Sequence, residues 1–188
     1  NVFIKASKHI DGLNHINGNS SYIGTPVNIY CFNTPPDYNA HAWGGYSAEH
    51  NFIWIRDGRL ASTVRHELGH NFVHNVLGIS SFNAPDTLHE CTGAMDEAFA
   101  SYLCGSPTDD SYLPDLLIEF NMALENSISD SLSLTEDQYT YYSKGRYLAS
   151  AWWSLRDNSL FPDNDQGVCG VDTLLVNSLV QVGENIPQ

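Results

Sequence analysis

The sequence predicts an α+β domain, and three observations carry that prediction. The length of 188 residues suits a single unit with its own core. Residues 1–58 hold short β-rich runs cut by turn residues, whereas residues 59–188 carry helical patterns with start and stop signals. The apolar fraction of 42% and aromatic fraction of 12% suit a packed interior.

The elements follow in order. The front third reads as strands and turns. Val27-Asn28-Ile29-Tyr30-Cys31-Phe32 is rich in β-branched and aromatic residues, and Thr34-Pro35-Pro36-Asp37 stops it. Gly44-Gly45 marks a turn. Phe52-Ile53-Trp54-Ile55 is a second strand, ended by Asp57-Gly58. A helix is predicted over about 60–77, with Gly78 in the usual stop position. A second covers about 94–103. A third starts near Pro114, a good first-turn residue, with Leu116, Leu117, Phe120 and Leu124 on one side. A fourth opens at Thr135-Glu136-Asp137-Gln138, which has the form of a capping box, and runs to about Arg156. A last helix spans about 172–183.

Charge excludes several function classes. The formal net charge is −14, from 22 acidic and 8 basic residues, and His66 to Ser143 contains no Lys or Arg. A nucleic-acid binder needs a basic face for phosphates, so no nucleic-acid partner is expected. Attraction to an anionic membrane surface is disfavoured for the same reason, and no apolar run reaches the ~20 residues of a membrane span. No membrane insertion is expected. The four cysteines, Cys31, Cys91, Cys104 and Cys169, allow up to two disulfides in three pairings, or buried free thiols. They form no C-x-x-C pair, which disfavours a cysteine-based zinc or redox site.

The chemistry lies in His66-Glu67-Leu68-Gly69-His70. Histidines at i and i+4 share one helical face, so two imidazoles can hold one metal ion. Glu67 lies beside them, where a carboxylate can take a proton from water at the metal. Such a pattern arises in roughly 1–2% of shuffled chains of this make-up, and here it also falls inside a predicted helix after an apolar strand. Catalytic zinc takes a third protein ligand, and two residues compete for it. His74 lies ~12 Å along a straight helix from His66, too far to share one ion without a bend. Glu97 sits among small and apolar residues in Gly93–Leu103, where a carboxylate is costly to bury unless paired or metal-bound.

The pattern His-Glu-x-x-His followed by Asp96-Glu97-Ala98-Phe99-Ala100-Ser101-Tyr102 resembles the gluzincin zinc metallopeptidases, the superfamily of thermolysin-like and aminopeptidase-like enzymes. The resemblance covers roughly residues 50–157. It implies a zincin-like catalytic domain over 1–188, one catalytic zinc held by His66, His70 and Glu97, and Glu67 as general base. Tyr142-Ser143-Lys144-Gly145 is similar to a Tyr-x-Lys-Gly segment of the aminopeptidase branch, which implies Tyr142 as the donor to the oxyanion. Gly145 to Arg156 is similar to a cleft-facing helix of fungalysin-like relatives. In zincins a strand such as Phe52–Ile55 often lies at the cleft edge, where it can pair with an extended peptide.

Two departures matter. The Gly-x-Met-Glu-Asn segment that holds a substrate's free amine is absent, so an endopeptidase is expected over an aminopeptidase. Ser101 stands where thermolysin-like enzymes carry an Asp that steadies a ligand His, leaving Asp96 as a candidate for that task. The expected function is hydrolysis of a polypeptide substrate. The alternatives are a silent zincin-fold binding or scaffold domain, and a zinc hydrolase of non-peptide amides or esters. Asp163-Asn164-Asp165-Gln166-Gly167 resembles the start of a calcium loop, but Leu174 stands where such a loop ends in Glu, so Ca2+ is a secondary expectation beside an acidic turn. Asn1-Val2-Phe3-Ile4 lacks the form of a secretory signal. An extracellular location is nevertheless expected from acidity, cysteine number and family habit.

Overall fold

The computed structural model describes residues 2–16, 27–31, 44–56, 61–77, 89–110, 112–113, 122–123, 141–156 and 170–185. Helix α1 spans Val2–Ile16. Strands β1 (Asn28–Cys31), β2 (Gly44–Ser47) and β3 (Phe52–Ile55) come next. Helices α2 (Ala61–Leu77) and α3 (His89–Gly105) follow, and a 3-10 turn covers Ser106–Thr108. Strands β4 (Tyr112–Leu113) and β5 (Met122–Ala123) precede α4 (Tyr141–Arg156) and α5 (Gly170–Asn185). The architecture is mixed α+β, mostly helical, with one three-stranded sheet.

Helix α2 is the axis of the molecule. It packs on α1, α3, α5 and the sheet. Every residue from Ser62 to His74 is buried except Arg65, which is half-buried. A helix enclosed all round is normally apolar, because buried polar groups need partners. Here Val64, Leu68, Phe72 and Val73 fill the core, yet His66, Glu67, His70, Asn71 and His74 are enclosed with them. The interior is therefore built around a polar stripe.

Sheet order is β1-β3-β2, with β1 parallel and β2 antiparallel to β3. Ile53 and Ile55 are fully buried while Phe52 and Trp54 are half-buried, the alternation of a strand with one face on the core. Three expectations change here. Phe52–Ile55 is the central strand, so it is β2 that lies at an edge beside α2. Gly44-Gly45 belongs to β2 rather than to a turn; the turn lies at 48–51, where Asn51 takes a left-handed conformation at φ 49°. The front third is not all strand and turn, because α1 buries Ala6, His9, Leu13 and Ile16 at helical spacing.

Further along, Met122–Ala123 pairs antiparallel with Tyr112–Leu113, so the helix expected from Pro114 does not reach Leu124. Residues 114–121, the capping box at 135–138 and the acidic segment 163–167 lie outside the described residues. Helices α2, α4 and α5 end within about two residues of expectation, whereas α3 begins five residues earlier, at His89. Cys31, exposed, and Cys104, buried, are free thiols, so the four cysteines do not form two bridges. The side chain of Cys91 and the whole of Cys169 lie outside the described residues. Among the described residues no helix is long and apolar enough to cross a membrane.

A second buried polar cluster ties the helical ends together. Asp172, fully buried at the start of α5, accepts hydrogen bonds from Tyr102 Oη at 2.6 Å and Ser106 Oγ at 2.5 Å. Arg156 Nε lies 3.6 Å from Asp172, and Arg156 Nη1 donates to Asp109 Oδ1 at 2.7 Å. The Arg156 guanidinium also stacks 4.7 Å over the Trp153 ring.

Candidate metal centre

Close helix packing sets the site. A Cβ at Gly69 would stand 2.8 Å from Ala100 Cα and 2.9 Å from its carbonyl oxygen, so α2 and α3 touch backbone to backbone. A Cβ at Gly145 would stand 2.7 Å from Glu97 Cβ and 2.9 Å from Ala94 O, which brings α4 equally close to α3. Glycine in a helix interior costs roughly 1 kcal/mol against alanine, so these two, on the helices packed against α3, mark contacts that side chains would block.

At this junction three donors converge. His66 Nε2 lies 3.1 Å from His70 Nε2 and 3.2 Å from Glu97 Oε2, and His70 Nε2 lies 3.7 Å from Glu97 Oε1. The donors of His66, His70 and Glu97 all fall within 4.8 Å of one another, with both histidines buried and Glu97 nearly so. Two ring nitrogens facing at 3.1 Å can share a single proton. They can otherwise both offer lone pairs to one cation. Zinc with ligand bonds of 2.0–2.2 Å in tetrahedral geometry puts neighbouring donors about 3.3–3.6 Å apart. The observed spacings straddle that value, so these residues fit a zinc-sized ion. His74 is not a member of the group; the third donor is Glu97.

Charge around the donors is arranged to match. Asp96 Oδ1 approaches His70 Nδ1 to 3.0 Å, on the ring side opposite the converging nitrogens. Burial alone would push the His70 pKa down, but the Asp96, Glu97 and Glu67 carboxylates outweigh it and raise it to about 10. Burial alone would raise Asp96, but His70 and His74 hold it well below the usual carboxylate range. In the metal-free chain His70 therefore carries a proton that a metal must displace.

Glu67 is buried next to His66, and burial pushes its pKa up. The neighbouring His66 and His70 pull it down, while Glu97 and Asp96 push it up again. A carboxylate shifted toward neutrality can both accept and return a proton. Its Oε1 would lie 3.4 Å from a Cβ on Gly44, so the edge strand β2 passes directly over it. Tyr142 lies in the first turn of α4, but its side chain is outside the described residues.

Reasoning from sequence missed the fixings between sheet and helix. Asn71 Nδ2 donates to Asn51 Oδ1 at 2.7 Å, and Tyr46 Oη donates to the same oxygen at 3.4 Å. The signal available was the polar Asn71 inside an otherwise enclosed helix. Comparisons with protein-family models, curated proteins and solved structures give no match to this chain.

Proposed function

We propose that this chain is a zinc-dependent metallopeptidase, and more specifically an endopeptidase of zincin-like type. The observation that carries this reading is the convergence of His66, His70 and Glu97 on one point, with the Glu67 carboxylate enclosed beside them. A zinc ion held by these three would supply the charge that acidifies water and polarises a scissile carbonyl. Glu67 takes the proton from the attacking water and delivers it to the leaving amine, a double task suited to a carboxylate raised by burial. Tyr142, at the start of α4, is assigned as the hydrogen-bond donor to the oxyanion, following the resemblance of Tyr142–Gly145. A polypeptide substrate suits the position of β2, whose edge can pair with an extended chain above Glu67.

The test joins metal content to turnover. One zinc per chain by elemental analysis, weakened in Glu97→Ala, with peptide-library cleavage lost in Glu67→Gln while zinc stays bound, is the expected result. Zinc binding without turnover of any peptide would favour a scaffold domain. Turnover confined to non-peptide amides or esters would move the substrate class. A folded, zinc-exposed chain without zinc would overturn the reading.

A further inference from the structure

We propose that His74 is a positioning residue for the ligand His70, acting through the carboxylate of Asp96; this rests on the metal-site reading above. His74 lies one helical turn beyond His70, and its ring is 8% exposed. Asp96 reaches both histidines with different oxygens. Its Oδ1 is 3.0 Å from His70 Nδ1 and its Oδ2 is 3.6 Å from His74 Nε2. The terminal torsion of an aspartate is broad, so one contact leaves the carboxylate plane free to rock. A second contact on the other oxygen fixes that plane and keeps Oδ1 aimed at His70.

His74 is itself held. Its ring meets the Tyr46 ring edge-on, with centroids 5.5 Å apart and planes at 64°. Tyr46 Oη donates to Asn51, which also accepts from Asn71 on α2. A continuous run of contacts thus links β2 to His74, then Asp96, then His70 and the converging donors. His74 sits too far along the helix to join those donors.

The test is zinc affinity by chelator competition on the full chain. His74→Ala is expected to weaken zinc about tenfold, the lower end of what loss of a group supporting a ligand does. His74→Gln, whose amide can still donate to Asp96 Oδ2, is expected to recover most of it. His74→Ala added to Asp96→Asn is expected to cost nothing further, because both act on His70 by one route. With cobalt in place of zinc, the visible absorption should shift in His74→Ala and return in His74→Gln. If His74→Ala does not fold, His74→Phe fills its volume without a donor and carries the same expectation. Unchanged zinc affinity in the variant, no recovery by Gln, or additive losses with Asp96→Asn would each overturn the positioning role while leaving the metal centre standing. A wild-type chain that binds no zinc would remove both.

Discussion

Gly69→Ala probes the packing that builds the site. The new Cβ would stand 2.8 Å from Ala100 Cα, 2.9 Å from its oxygen and 3.2 Å from its carbonyl carbon. All three are backbone atoms, so no side chain can swing aside. Restoring carbon contact to about 3.5 Å requires α2 and α3 to part by about 0.7 Å. Glu97 sits one turn from Ala100, so the gap between His66 Nε2 and Glu97 Oε2, now 3.2 Å, would widen to about 3.9 Å, beyond the spacing of a tetrahedral zinc site. Overpacking of this kind costs about 1–3 kcal/mol, offset by about 1 kcal/mol of helix propensity gained over glycine. Metal-free stability should therefore fall by up to about 2 kcal/mol, a drop in Tm of up to about 8 °C at this chain length. Zinc affinity should fall as well. Thermal unfolding of the metal-free chain and chelator competition measure the two effects separately. A Gly69→Ala chain that gains stability by the full helix-propensity increment and keeps its zinc affinity would refute the close-approach argument.

Three further outcomes are expected. His9 is buried, and burial, with the Arg65 charge, pushes its pKa down to about 3. Its folded value lies below the unfolded one, so its neutral form is favoured in the fold; stability is intact above about pH 6.5 and falls as pH drops toward 3, by about 2 kcal/mol at pH 5. His9→Leu should flatten that part of the urea-midpoint profile between pH 7 and 5, and an unaltered slope would contradict it. Arg156→Met leaves the fully buried Asp172 without its cation and should cost about 3–5 kcal/mol in urea unfolding, with part regained by adding Asp172→Asn. Tyr142→Phe should lower kcat by about 100-fold with zinc still bound, if that hydroxyl stabilises the oxyanion; equal turnover would move the role to another donor.

The cluster of residues that could hold a metal was legible because much of its signal is local. His66 and His70 are one turn apart on one helix, and Glu97 stands in a run of small residues that only a packed helix explains. Other features depend on the fold at a distance. Helix α1 opens with Val2-Phe3-Ile4, which reads as strand, and the buried position 9 is a histidine, so its apolar spacing is broken. Tertiary contact with α2 decides its conformation. Gly44 and Gly45 suggest a turn by composition, yet they lie in a strand whose missing side chains leave room for Thr63, Glu67 and Trp54. Met122–Ala123 was hidden by an apolar pattern at helical spacing that a two-residue pairing interrupts. The support of His70 by Asp96 and His74 needs α2 and α3 side by side, a relation that no single segment encodes.

Helix α4 is pinned at two points. Near its start Gly145 lies flush against Glu97, and at its end Arg156 is sealed into the pocket around Asp172. The two points are eleven residues apart, about 16 Å along a rigid rod. A rod fastened at both ends cannot swing. On the sheet side β2 is joined to α2 through Asn51, Asn71 and Tyr46. Among the described residues α2, α3 and α4 thus form one close-packed side of the candidate site, and β2 bounds its other side.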